Sequence, residues 1–290
     1  MDTAAGDLIS QLRWQLPQRG SQGAVLTLLC AFCRGVPFFA DLYPRGEFFK
    51  GLCHFESFLS NKPKGTQLQI DLPDIEEVNN ADKELIDSVK TEIEYIKSKA
   101  DILDSITSKI EDKSLRRRVC HNDTKLSNVM MDEKTGRYMC LIDLDTAMKG
   151  AIAYDFGDAI RGGASTAAED ETDLSKVTID LELTRAFTEG FIYELRKRKK
   201  DDKFLEPSEA KSLYDGLFII ALELGMRFLE DYILGNIYFK INEDRPLHNL
   251  ERARNQLKLA NEIEKHRDDI VKIINDSLKA NGFDDSFLLD

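Results

Sequence analysis

Apolar positions along the chain change period twice, dividing it into helical, extended and again helical stretches. From Gly46 to Leu59, Phe48, Phe49, Leu52, Phe55, Phe58 and Leu59 recur at three- and four-residue steps, the spacing of a short buried helix. After a polar connection containing Pro and Gly, a second stripe runs from Asp82 to Lys113 through Leu85, Ile86, Val89, Ile93, Ile96, Ala100, Leu103, Ile106 and Ile110, with charges opposite. It predicts one long helix, or two joined near Ala100. The period then shortens. Val129-Met130-Met131 and Tyr138–Ile142 flank Asp132–Gly136, whose glycine suits the positive φ of a turn, so a β-hairpin is predicted. Helical spacing returns over Asp180–Arg198, from Pro207 in a first turn to about Leu234, and over Leu250–Leu278. From about Gly282 the chain is expected to be loosely attached.

Composition narrows what such a chain can do. A formal charge of −12 and a pI near 5.0 argue against a general nucleic-acid binder, because phosphate backbones call for a basic face. The clusters Arg116-Arg117-Arg118 and Arg196–Lys200 are too local to change this, and the second, followed by Asp201-Asp202, has the pattern of a solvated helix end. An odd number of cysteines, five, suggests reduced thiols in the cytoplasm. Cys30 and Cys33 form a CxxC without the second pair a zinc site needs. Their apolar run, Ala24–Cys33, is too short for the roughly 20 residues that span a bilayer, and no small-x-small cleavage pattern follows it. A cytoplasmic protein with no membrane partner is expected. The chain has no lysine before Lys50 and its only tryptophan is Trp14, so residues 1–47 read as an unassigned, foreign-looking or truncated segment preceding a unit at 48–290.

The candidate chemistry lies where the period changes. Residues 121–128 read His-Asn-Asp-Thr-Lys-Leu-Ser-Asn, and Leu-Ile-Asp-Leu-Asp follows, ending at Asp145. A loop held by structure on both sides is where catalytic groups gather. Asp123 can accept or orient the proton of an attacking hydroxyl, and Lys125 can neutralise charge on a transferred phosphoryl group. Asn128 offers a neutral carbonyl oxygen and Asp143 a carboxylate, hard oxygen ligands suited to Mg²⁺. On an extended strand Asp143 and Asp145 would face the same side and could both reach the metal. Without a cation, three acidic side chains in so short a span would repel one another. Singly, each has a plain reading: Asp123 as a turn cap, Asn128 as a backbone partner, the two later aspartates as exposed strand-end residues. Together they are what phosphoryl transfer from a metal-bound nucleotide requires.

The pattern H-x-D-x-x-x-x-N resembles the protein-kinase catalytic loop, with Ile142-Asp143-Leu144-Asp145 in the place of the D-F-G segment. The form with His121-Asn122-Asp123 and I-D-x-D resembles the aminoglycoside phosphotransferase and choline kinase family, kinases of small molecules. Within it, HNDTKLSNVM, LIDLDTAMKG, YDFGDAIRGGASTAAEDE and ELGMRFLEDYILGNIYFK are similar to bacterial N-acetylhexosamine 1-kinases. The resemblance covers roughly residues 46–275 and is densest from Val119 to Lys240. It implies an α+β, mostly helical fold: a protein-kinase-like carboxy-terminal lobe with a catalytic loop at 121–128 and a small β-hairpin at 129–145 carrying the metal site. It further implies ATP as phosphoryl donor, Asp123 as catalytic base, Lys125 near the transferred phosphate, and Asn128 and Asp143 as magnesium ligands, with Asp145 as a further ligand or a support. His121 is read as a structural anchor, and Asp155 and Asp158 as caps of the following helix or braces of the loop. Glu223, Arg227 and Asp231 stand at steps of four, so Arg227 can be paired on both sides or can offer its guanidinium to a sugar. Tyr238 and His248 are weaker candidates for the same sugar site.

Kinases of this type also have a strand-rich lobe whose loop and lysine hold the ATP phosphates. In residues 1–120 no Gly-rich loop is followed by a strand, and no lysine sits in a V-A-I-K-like context. Two functions therefore stay open. One is an ATP- and Mg²⁺-dependent phosphotransferase acting on a small-molecule hydroxyl, foremost the anomeric hydroxyl of an N-acetylhexosamine. The other is a non-catalytic sugar-binding or interaction protein with remnant catalytic residues. Metal-dependent phosphoester hydrolysis ranks third, because no second metal cage or activating histidine is evident.

Overall fold

The computed structural model describes residues 84–136, 138–197 and 205–290. The segment 1–47, the expected helix at Gly46–Leu59, the Cys30/Cys33 pair and Lys199 to Asp202 lie outside them. The first described stripe is helical but segmented: α1 (Lys90–Lys97), α2 (Ala100–Leu103) and α3 (Ser105–Glu111) follow one another with breaks at Ser98-Lys99 and Asp104. Ile93, Ile96, Leu103 and Ile106 all remain buried through the breaks. One joint falls at the expected place near Ala100; the second was not foreseen.

Four short strands come next: β1 (Arg118–Cys120), β2 (Val129–Met131), β3 (Tyr138–Leu141) and β4 (Met148–Gly150). They form two antiparallel pairs, β2 with β3 and β1 with β4. The hairpin is the expected one, with Gly136 at φ +62° in its turn. The β1–β4 pair is less visible in sequence because it joins residues far apart in the chain, Arg118 to Gly150.

The remainder is helical: α4 (Ile152–Ala164), α5 (Leu181–Lys197), α6 (Pro207–Lys211), α7 (Leu213–Ile233), α8 (His248–Lys265) and α9 (Arg267–Ala280). Pro207 takes the first turn of α6, where its missing N–H costs nothing, and Glu206 and Glu209 cap each other's backbone reciprocally. The helix expected from Pro207 to Leu234 is broken at Ser212, and the long carboxy-terminal stripe at His266. Helix α7 is apolar around most of its circumference, since Leu213, Leu217, Phe218, Leu222, Phe228 and Leu229 are all buried. It is the central helix, packed on α4 and α8, while α5 lies against α4 and α9. No described helix is long and apolar enough to cross a membrane.

The tail beyond Gly282 is not loose. Phe283 and Phe287 pack on each other with ring centroids 4.9 Å apart. Leu289 exchanges hydrogen bonds with the Asn275 side chain, and Arg267 donates to the Asp290 carbonyl. Four apolar side chains in the last eight residues supply the attachment that the polar character of the stretch concealed.

The contact that sets the position of α4 is glycine on glycine. A Cβ at Gly216 would stand 2.2 Å from the Ala153 carbonyl oxygen, and one at Gly157 would stand 2.5 Å from that of Gly216. Neither obstacle is a side chain that can turn away. Gly216→Ala gains helix propensity of somewhat under about 1 kcal/mol but must separate two backbones, an overpacking cost of roughly 1–3 kcal/mol or more. The expected outcome is a lower urea midpoint for Gly216→Ala, whereas Gly162→Ala, whose Cβ would meet nothing closer than 3.7 Å, leaves the midpoint unchanged or raised.

Candidate active site

The loop His121–Lys125 leaves β1, passes one 3-10 turn at Leu126–Asn128 and enters β2. A buried carboxylate on α4 holds its start: Asp155 accepts from the backbone N–H of His121 at 2.9 Å and of Asn122 at 2.8 Å. Asn122 stands at φ +60°, a conformation that asparagine tolerates better than most residues, and its amide donates to the carbonyls of Cys120 and Thr146. Gly150 makes room for it, since a Cβ there would lie 2.7 Å from the Asn122 side-chain oxygen. His121 is buried, its Nε2 lies 3.1 Å from the Ile142 carbonyl oxygen, and its own carbonyl accepts from Thr146 Oγ1 at 2.7 Å. The histidine thus ties the loop to the segment after β3, as an anchor. Asp155 braces the loop and does not cap its helix, whose N-cap is Ala151 without a side-chain bond.

The candidate catalytic groups meet at Asp123. Its Oδ2 accepts from Lys125 Nζ and from Asn128 Nδ2, each at 2.8 Å, and Asn128 also donates to the Asp123 carbonyl at 2.9 Å. Both side-chain bonds fall on one oxygen. Oδ1 is therefore left to accept from an incoming hydroxyl, and the Asn128 amide is turned so that its own Oδ1 points away from Asp123. The Asp123 side chain is partly exposed and Asn128 is buried, so the pair forms a rim with a fixed floor.

Asp143 and Asp145 come together by a different route from the expected one. Strand β3 ends at Leu141; Asp143 sits in the left-handed region at φ +63°, and Leu144–Thr146 is a 3-10 turn. No strand alternation is involved, and the two aspartates lie beyond the hairpin. Their carboxyl groups nevertheless interact. Asp143 is raised above the usual carboxylate range by its hydrogen bond with Asp145, then by partial burial and by the charges of Asp145 and Asp123, with Lys125 opposing. Among the described residues no three His, Cys, Asp or Glu side chains gather as a metal cage. The donor set here is two carboxylates and the Asn128 amide oxygen. That composition fits Mg²⁺, which prefers oxygen and takes only one or two carboxylates, completing its shell with phosphate and water. A cation there would also relieve the repulsion that drives Asp143 toward its neutral form.

Residues 50–187 match the model of the phosphotransferase enzyme family. The match spans the catalytic loop, the hairpin, the Asp143–Asp145 turn and all of α4, so every candidate catalytic and metal residue falls within the phosphotransferase-like segment. Part of it, 50–83, lies outside the described residues. Arg227 and Tyr238 lie beyond its end.

The ladder expected at Glu223, Arg227 and Asp231 does not form as drawn. Arg227 Nε lies 3.8 Å from Glu223 and its guanidinium lies over the rings of Tyr238 and Phe239 at 5.5 and 5.2 Å. Asp231, buried, turns instead to the backbone N–H groups of Tyr238 and Phe239, at 2.7 and 2.9 Å, and to the Asn249 amide at 2.8 Å. The reason is electrostatic: three N–H donors satisfy a buried carboxylate more fully than one shared guanidinium. Tyr238 is thereby presented at 72% exposure from a fixed backbone. His248 accepts from the Asn242 N–H and stands 3.8 Å from Asp170, packed at the start of α8.

Sequence reading passed over Thr124, Thr146 and Arg161. Thr124 Oγ1 donates to the Asp155 carbonyl at 2.7 Å and reaches Asp158 at 3.4 Å, while Arg161 donates to Asp158 through Nε and Nη2 at 2.9 and 2.7 Å. A threonine beside the candidate catalytic aspartate was the available signal. An arginine on a helix of small and apolar residues was another.

Burial raises Glu223 to about 7 and Asp155 to about 6, opposed by Arg227 and Arg161 at the first and by the His121 and Asn122 N–H groups at the second. Raised carboxylates leave the folded chain holding more protons than the unfolded one. Their cost to folding is absent below the unfolded carboxylate range and grows as pH rises through about 6 and 7. Glu223→Gln removes one of the two groups, so the fall in Tm between pH 5 and pH 8 at constant ionic strength should be shallower than in the wild type. Parallel curves would rule this out.

Proposed function

We propose that the protein transfers a phosphoryl group from Mg²⁺-bound ATP to a hydroxyl of a small molecule, foremost the anomeric hydroxyl of an N-acetylhexosamine. The observation that carries the reading is the arrangement at Asp123: one carboxylate oxygen held by Lys125 and Asn128, the other open to a further donor, with Asp143 close enough to feel its charge. A hydroxyl bonded to Asp123 Oδ1 is oriented for in-line attack and loses its proton to that carboxylate as the bond to phosphorus forms. Lys125, paired with Asp123, is within reach of the oxygens of the transferred group, where its charge offsets the charge that develops. Asn128, Asp143 and Asp145 would hold the magnesium ion, which supplies charge neutralisation on the phosphate oxygens. The phosphotransferase-family match supports the reaction type. The sugar rests on the resemblance of the quoted stretches and on Arg227 and Tyr238, a guanidinium that can donate to hydroxyl and acetamide oxygens beside an exposed ring that can meet a sugar face.

A specific observation keeps non-catalytic sugar binding as a second reading. Arg227 and Tyr238 stand together beyond the matched segment, and in residues 1–120 no Gly-rich loop is followed by a strand pattern. Calorimetry separates the two: the first reading requires Mg²⁺-dependent ATP binding, the second only sugar binding. ADP release measured against a panel of sugars, choline and aminoglycosides should identify an accepted sugar. On that sugar Asp123→Ala is expected to lower turnover by about 10²–10⁴-fold while sugar binding persists; full activity in the variant would end the assignment.

A further inference from the structure

The phosphotransfer reading accounts for the catalytic loop and the Tyr238 ledge separately and leaves unexplained a set of ionic side chains lying between them. Asp158 stands 3.4 Å from Thr124 Oγ1, next to the catalytic aspartate, and accepts both Nε and Nη2 of Arg161. Arg161 is buried and extends through Nη1 to Glu169 at 3.3 Å and to Gln256 at 3.3 Å. The next residue on α4, Gly162, lies directly on the Lys125 backbone, where a Cβ would stand 3.7 Å from the Lys125 Cα.

From the other side, Arg252 donates through Nε to Glu169 at 3.1 Å. Its guanidinium lies 3.7 Å over the Phe228 ring and 5.6 Å from that of Phe239. Phe239 in turn packs on Phe228 at 4.6 Å and edge-on against Tyr238 at 4.8 Å. Among the described residues Glu169 is thus the one carboxylate bonded to both arginines. The segment that carries it is itself pinned to α8, because the Asn255 amide donates to the carbonyls of Ala168 and Glu171, each at 3.0 Å.

We propose that Glu169 is a positioning residue that sets the Tyr238–Phe239 ledge relative to the catalytic loop, through Arg252 on one side and Arg161, Asp158 and Thr124 on the other. Its functional meaning, the distance from acceptor platform to catalytic aspartate, rests on the phosphotransfer reading; the coupling itself does not. Charged partners within partly desolvated surroundings hold one another more firmly than surface pairs, and the planar guanidiniums fix direction as well as distance. Glu169 touches neither end directly, so any effect of its removal there is transmitted.

The structure offers four reporters. The N–H groups of His121 and Asn122 are held by Asp155, and those of Tyr238 and Phe239 by Asp231. Residue-resolved amide exchange on the full chain is therefore the test. Glu169→Gln should accelerate exchange at both pairs by roughly three- to tenfold, the size expected for a coupling of this kind, with Ile274 in α9 unchanged. Glu171→Gln, which alters a carboxylate bonded to Asp173 and Lys176 in the same segment, should accelerate neither pair. Thr124→Val should speed exchange at Tyr238 and Phe239 in the wild type and add nothing in the Glu169→Gln background. Acceleration confined to residues 165–180, a uniform rise that includes Ile274, or additive effects of Thr124→Val and Glu169→Gln would each overturn the proposal. Because no turnover is measured, a protein without phosphotransfer activity can still pass or fail this test.

Discussion

Two consecutive backbone N–H groups, those of His121 and Asn122, point at one buried carboxylate, Asp155, and the arrangement of the site follows from that attachment. Asn122 takes a left-handed conformation, which turns the chain sharply just before Asp123. Ionising a buried carboxylate is costly, and Asp155 is correspondingly raised. The two N–H donors lower that cost, and they are themselves donors that a buried loop must satisfy somewhere. Each side of the interaction would be unfavourable without the other.

Asp155 can serve only because α4 is held close to the core. The backbone-to-backbone approach at Ala153, Gly157 and Gly216 brings α4 against α7 more tightly than side chains would allow. Along the same helix, at steps of three or four, come Asp155 for the loop, Asp158 and Arg161 for Thr124 and the polar cluster, and Gly162 for the Lys125 backbone. Opposite faces of one helix thus carry the close packing on α7 and the support of the loop. Rigid backing of this kind is what a reaction governed by positioning requires.

Much of this was legible in the residues. The catalytic loop, the hairpin with its glycine turn, the helical stripes and the proline start of α6 are all local patterns, formed by residues within a few positions of one another. The role of His121 as anchor could be read from a motif whose geometry is stereotyped, whereas Asp155 could be read as a helix cap or a brace and only its bonds to the loop decide for the brace. The less legible parts have identifiable causes. The Asp143–Asp145 pairing was expected from strand alternation, yet a residue at positive φ and a 3-10 turn produce it, and such a turn leaves little trace in hydrophobic pattern. The tail after Gly282 looked polar because its aspartates mask Phe283, Phe287, Leu288 and Leu289.

By itself the sequence determined most element types, because period and turn chemistry are properties of neighbouring residues, and it singled out Asp123, Lys125, Asn128 and the later aspartates as a candidate site. Only the tertiary structure decided partners. Whether Asp231 would meet Arg227 four residues away or the N–H groups of Tyr238 and Phe239 depended on where the chain after α7 folds back. Whether Glu169 would lie in solvent or between two arginines depended on α4 and α8 converging from opposite sides. A charged side chain takes the partner that best replaces its lost water, and that partner is chosen by proximity in space, which helical and strand periodicity do not encode.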